Sequence, residues 1–138
     1  MNQTSNSRAV ILVVDDEAVV LSTVCSILEY SGFEVLQADS PEAAFSIAGN
    51  ERRVIDLLLC DVVMPGMNGP ELADRFRLLH PETGVLFMAG LPDTPEIAQR
   101  ILSRGLAFLP KPFLPATLAE KVRQVLSRGP DKASAATA

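Results

Sequence analysis

Apolar residues along this chain follow two alternating rhythms. Five short runs are apolar almost throughout: AVILVV (9–14), FEVLQA (33–38), IDLLLC (55–60), GVLFMA (84–89) and LAFLP (106–110). Runs of that length, rich in Val, Ile, Leu and Phe, predict strands, and near-continuous hydrophobicity predicts burial on both faces. The second run alternates more and is expected at a sheet edge. Between the runs, apolar residues recur at helical spacing. Val20, Val24, Ile27 and Leu28 share a stripe in 17–30, Leu72, Phe76 and Leu79 follow Pro70, and Leu118, Val122, Val125 and Leu126 share a stripe in 114–127. Ser40-Pro41-Glu42 and Thr94-Pro95-Glu96 each offer a capping hydroxyl, a proline at the first helical position and an acid against the helix dipole.

Five strand-then-helix units predict an α/β fold, a parallel sheet with helices on both faces. Right-handed crossovers leave few strand orders, and 2-1-3-4-5 is the common one for five strands. The chain then reverses direction between strands 1 and 3, and the crevice outside their carboxyl ends is the expected ligand site. Residues 9–127 are expected to form the domain, with loose segments at 1–8 and 128–138.

The ends of the strands carry the chemistry. VILVVDD ends in Asp15 and Asp16, IDLLLCD in Asp61, and LAFLPKP in Lys111. Three carboxylates facing one crevice stay ionised at neutral pH only if positive charge sits among them. Hard oxygen ligands with open water positions suit Mg²⁺. Helix capping by Asp15 or Asp16 would explain one acid at most. A lysine beside the same crevice can pair with phosphoryl oxygens as a point charge, and an aspartate can itself be the nucleophile. The set points to phosphoryl transfer. The strand VLFMAGLP (85–92) departs from this pattern, because it ends in Ala89 and Gly90.

Composition narrows the reading further. The 138 residues suit one domain, and 48% are hydrophobic, enough for a core. A net charge of −5 argues against nucleic-acid binding through phosphate neutralisation. The apolar runs are too short to span a bilayer and MNQTSNSRAV lacks a signal peptide's apolar segment, so a cytoplasmic location is expected. From Arg100 onward basic residues outnumber acids (Arg104, Lys111, Lys121, Arg123, Arg128 and Lys132 among them), as solvated helix faces or as a docking surface. Cys25 and Cys60 lack metal-ligand spacing and read as reduced core residues; His80, before Pro81, reads as a group satisfying a helix C-terminus.

DD (15–16), DVVMPGMNG (61–69) and KPF (111–113), in this order and each at a strand end, resemble the receiver domain of two-component response regulators over residues 9–127. The resemblance implies a flavodoxin-like receiver fold and a cytoplasmic signalling domain rather than a turnover enzyme. Asp61 would be the phosphoacceptor, taking its phosphoryl group from a sensor histidine kinase or histidine phosphotransfer protein. Asp16, Asp61 and the backbone carbonyl of Val63 would bind Mg²⁺, Asp15 would hold a metal-bound water, and Lys111 would contact the phosphoryl group. The Lys111–Pro112 bond is expected to be cis. In MPGMNG, Pro65 and Gly66 should make a turn, and Gly69 is expected to adopt a positive φ ahead of the next helix.

Similar domains place threonine or serine at the end of strand four and an aromatic residue at the partner position on strand five; here those positions are Ala89 and Phe108. Phosphoryl uptake is therefore expected with a muted or differently wired response. Val63 and Leu91, two residues beyond Asp61 and Ala89, cannot orient an attacking water, which predicts slow self-dephosphorylation; Thr94 reads as a helix cap. Output is expected through protein contact with a downstream target, on the face formed by the fourth helix, fifth strand and fifth helix; a homodimer stays open. An alternative is a phosphorylation-independent interaction module whose switch Ala89 disconnects. An aspartyl phosphatase is disfavoured, because Val63 stands where a second carboxylate would be needed.

Overall fold

The computed structural model describes residues 8–90 and 95–128, apart from the side chains of Pro95, Ile97 and Ala98. The elements alternate as β1 (Val10–Val14), α1 (Ala18–Tyr30), β2 (Glu34–Ala38), α2 (Pro41–Asn50), β3 (Leu57–Asp61), α3 (Gly69–Leu79), β4 (Gly84–Ala89), α4 (Pro95–Ser103), β5 (Ala107–Pro110) and α5 (Pro115–Arg128). All strand pairings are parallel and the order is β2-β1-β3-β4-β5, as the alternating pattern predicts. The half-exposed β2 is indeed an edge strand.

Successive strand residues face opposite sides, so each strand feeds two cores. Ile11, Val13, Leu57, Leu59, Leu86 and Met88 pack under α1 and α5 through Val24, Leu28, Leu118 and Val122. Leu12, Val14, Leu58, Cys60 and Phe87 face the other way, against Ala44, Leu72, Phe76 and Ile101 of α2, α3 and α4. The stripes on α1 and α5 run close to those expected, with Leu21 and Cys25 joining the buried face of α1 and Ala119 that of α5. On α3 the buried stripe is Leu72, Ala73 and Phe76. Leu79 is exposed; the next position on the buried stripe falls to His80 instead.

The third strand starts later than its apolar run. Asp56 stands before it as a brace: its carboxylate accepts the Val10 N–H at 2.8 Å and its N–H donates to the Val10 carbonyl at 2.8 Å. Its own carbonyl accepts the Gly84 N–H at 3.0 Å. One residue thus joins the starts of β1, β3 and β4.

Ser40 and His80 act where they were expected, and a further cap stands at Asn68. The Ser40 hydroxyl caps α2 by accepting the Ala43 N–H at 3.1 Å. Asn68 caps α3 in a reciprocal box with Glu71. His80 closes α3 and anchors it: Nε2 lies 2.9 Å from the Ala48 carbonyl, which can only accept, and the ring packs on Phe76. Both cysteines are buried and free; burial, then nearby Glu29, pushes the Cys25 thiol up to about 11, and Cys60 is held well above the ordinary range. Thr94 and Leu91 lie outside the described residues. No helix among the described residues is long and apolar enough to cross a membrane.

Candidate functional site

The carboxyl ends of β1, β3, β4 and β5 open onto one cleft of about 600 Å³, lined by Asp16, Glu17, Asp61, Val63, Ala89, Gly90, Lys111 and Pro112. Asp15 is fully buried at its base; Asp16 is exposed at its mouth. One carboxylate oxygen from each of Asp15, Asp16 and Asp61 falls within 4.8 Å of the others. The structure therefore brings together the acids that the sequence placed on two different strands.

Lys111 reaches this cluster from the end of β5. Its Nζ lies 3.3 Å from Asp61 Oδ1 and 3.4 Å from Asp15 Oδ2, so one ammonium serves two carboxylates. Its backbone N–H donates to the Ala89 carbonyl at 2.9 Å, which ties the ends of β4 and β5 together beside the cleft. The Lys111–Pro112 bond is cis, as expected. Asp15 spends its second oxygen on the Glu17 N–H, at 2.9 Å. Asp15 thus braces the turn ahead of α1, whose N-cap Glu17 has no side-chain cap bond, and Asp16 and Asp61 face the cleft.

The electrostatics follow from this crowding. Burial pushes the Asp61 carboxyl up to about 6; Lys111 pulls it down, while Asp15 and Asp16 add to the rise. Burial acts to lower Lys111, but Asp61 and Asp15 together outweigh it and hold the ammonium above its ordinary value. In the cluster of Asp15, Asp16, Asp61 and Lys111, three carboxylates against one ammonium leave two negative charges when all are ionised. A divalent cation would cancel that excess, and the oxygen-only donor set suits a hard ion such as Mg²⁺.

The loop from Asp61 to α3 shows one departure from expectation. Gly69 does not adopt a positive φ; Gly66 does, at 86°. Gly69 is needed for space instead. A Cβ there would stand 2.5 Å from the Asp61 carbonyl oxygen and 3.0 Å from Val62 Cα, both backbone atoms. The Gly69 N–H donates to the Val62 carbonyl at 2.7 Å, so the start of α3 is pressed against the backbone of the acidic residue. Gly69→Ala is expected to destabilise the fold by about 1–3 kcal/mol through overpacking. Urea unfolding measures this, and a change below about 0.5 kcal/mol would mean that the loop yields freely.

Sequence reasoning missed Asp56 and Glu17. Asp56 has a visible signal, a lone acid at the head of an apolar run. Glu17 reaches the cleft only because α1 begins one residue after it. Ala89 forms part of the cleft wall and is 3% exposed, while Phe108 is buried and pairs in register with Phe87.

A doubly wound sheet with acids and a lysine at its switch point defines the flavodoxin-like class of α/β domains that bind ligands at strand ends. Within that class the chain belongs to the response regulator receiver domain family, whose model matches residues 11–123. It is 33% identical over 124 residues to the sensor kinase CckA of Brucella abortus, covering 90% of this chain and 13% of that protein. It is 30% identical over 128 residues to the phosphate regulon transcriptional regulatory protein PhoB of Pseudomonas aeruginosa, covering 91% of this chain and 55% of that one. Among solved structures, the receiver domain of the hybrid histidine kinase CckA matches at 39% identity and a TM-score of 0.71, covering 86% of this chain and 99% of that one. A receiver domain from Clostridium thermocellum matches at 28% identity and a TM-score of 0.78, covering 87% and 95%. The chain spans between 13% and 21% of the length of several curated relatives. It is a signalling domain of two-component systems.

Proposed function

We propose that this domain takes a phosphoryl group from a phosphohistidine onto Asp61 and signals through protein contact. The observation that carries this reading is the Asp61 carboxylate, open to the cleft, with the Lys111 ammonium 3.3 Å away. A carboxylate oxygen attacks phosphorus in line with the leaving histidine nitrogen; the O–P bond forms, the N–P bond breaks, and the imidazole leaves. Lys111 offsets charge on the equatorial oxygens as a fixed point charge. The nucleophile must be ionised, and above about pH 6 it is.

Asp16 and Asp61, with the Val63 carbonyl, are the residues that would hold Mg²⁺, and Asp15, its oxygens already engaged, would hold a water beside it. Bound Mg²⁺ would supply positive charge against the transferring group. The phosphodonor would be a sensor histidine kinase or a phosphotransfer protein. Val63 lines the cleft with an apolar side chain, which supports a long-lived adduct. The direct test is incubation with acetyl phosphate and Mg²⁺, followed by intact mass measurement. A single base-labile phosphoryl adduct is expected, and no adduct would overturn the reading. Ala89 favours a second reading, an interaction module indifferent to phosphorylation, and that outcome would support it.

The metal assignment has its own test in pH dependence. The folded-state pKa of Asp61 is raised to about 6, so between the ordinary carboxylate value and 6 the folded state holds the extra proton. This group's contribution therefore makes the metal-free protein less stable as pH rises from about 4 to about 6. Mg²⁺ binding to the ionised cluster opposes that loss. The rise in unfolding temperature on adding Mg²⁺ is expected to be clearly larger at pH 7.5 than at pH 5; equal rises would exclude the cluster as the metal site.

A further inference from the structure

The mouth of the Asp61 cleft changes character from strand to strand. The end of β1 brings two exposed acids, Asp16 and Glu17. The segments after β3 and β5 bring Val63 and Pro112, exposed and apolar.

Glu17 is the acid there that the protein does not employ internally. It is the N-cap of α1, yet its side chain makes no capping bond. Among the described residues, no hydrogen bond or ion pair engages its carboxylate. Asp16 would hold the metal, and the Lys111 ammonium is shared between Asp15 and Asp61. An acid at a helix N-terminus also meets the dipole, but that interaction does not require a place on the cleft wall.

The direction of the reaction decides what this charge acts on. Asp61 is only 7% exposed, so its oxygen approaches phosphorus from inside the cleft. In-line displacement then sends the leaving group outward, to the rim. A phosphoimidazole protonated on its distal nitrogen arrives with a cationic ring. When its N–P bond breaks, the electron pair goes to nitrogen and neutral imidazole departs, keeping the distal proton. An acyl phosphate behaves oppositely: its O–P bond breaks, the pair stays on oxygen and a carboxylate anion departs. Relative to the free donors, a negative charge at the rim stabilises the first transition state and destabilises the second.

We propose, on the reading of Asp61 as phosphoacceptor, that Glu17 is a specificity-determining residue that selects phosphodonors with a cationic nitrogen leaving group over acyl phosphates. The apolar rim at Val63 and Pro112 suits the flat ring of the favoured donor.

The test compares second-order rate constants of adduct formation from phosphoimidazole and from acetyl phosphate, read by intact mass at about pH 7 and saturating Mg²⁺. The ratio of the two constants is expected to fall about three- to tenfold in Glu17→Gln, as befits an exposed charge near another, and further in Glu17→Lys. Added sodium chloride should shrink the differences between variants, because the group is exposed to solvent. A merely structural role would slow both donors alike and leave the ratio where it was. An unchanged ratio in both variants, or a difference indifferent to salt, would overturn the proposal while Asp61 remains the acceptor. No adduct from either donor in the native protein would overturn the reading beneath it, and the proposal with it.

Discussion

Asp61→Asn is expected to abolish phosphoryl uptake from acetyl phosphate, with no adduct above background by intact mass, while the fold persists. Asparagine keeps the shape of aspartate and removes the nucleophilic charge. The substitution takes one negative charge from a cluster where burial and two neighbouring acids already disfavour it. The metal-free variant should therefore unfold at no lower temperature than the native protein at neutral pH. That pairing separates lost chemistry from lost structure. An adduct that survives the substitution would place the acceptor elsewhere and end the assignment of Asp61.

Ala89→Thr is expected to strengthen the conformational response to phosphorylation. Position 89 is the last residue of β4 and forms part of the cleft wall, so a hydroxyl there can reach a group on Asp61. A hydrogen bond to a charged group contributes about 1.5–3 kcal/mol. At a factor of ten per 1.4 kcal/mol, this biases the switched state by roughly ten- to a hundredfold. The readout is the fraction switched on saturation with a phosphoryl mimic such as beryllofluoride, followed by chemical shifts at Phe108 and along α4. Identical fractions in native and variant proteins would show that another group already does what the hydroxyl does elsewhere. Adduct formation should change far less, because Lys111 and the acids remain.

Most of the scaffold was legible because buried parallel strands leave a strong mark: long apolar runs cannot be mistaken for solvent-facing segments. The convergence of Asp15, Asp16, Asp61 and Lys111 was legible for the same reason, since each directly follows such a run. Residues whose role depends on closeness between distant backbones were not. Gly69 looked like a turn residue, and only the approach of α3 to the Asp61 carbonyl reveals a demand for space. Leu79 fitted the helical period, but the buried stripe of α3 continues to His80 instead.

The brace at Asp56 gives the sheet a common origin for measuring length. From Val10 to Asp15, from Asp56 to Asp61 and from Gly84 to Ala89 the step is the same, five residues. Strands β1 and β3 therefore run level, with Val14 opposite Cys60, while β4 starts with Gly84 opposite Leu57, brings Met88 level with Asp61 and carries Ala89 one residue further. Deleting one residue from any of them would draw its end back by about 3.3 Å and turn the next side chain to the opposite face. Tolerance to insertion and deletion should therefore be lowest in these strands, although no residue within them before Asp61 or Ala89 touches the cleft.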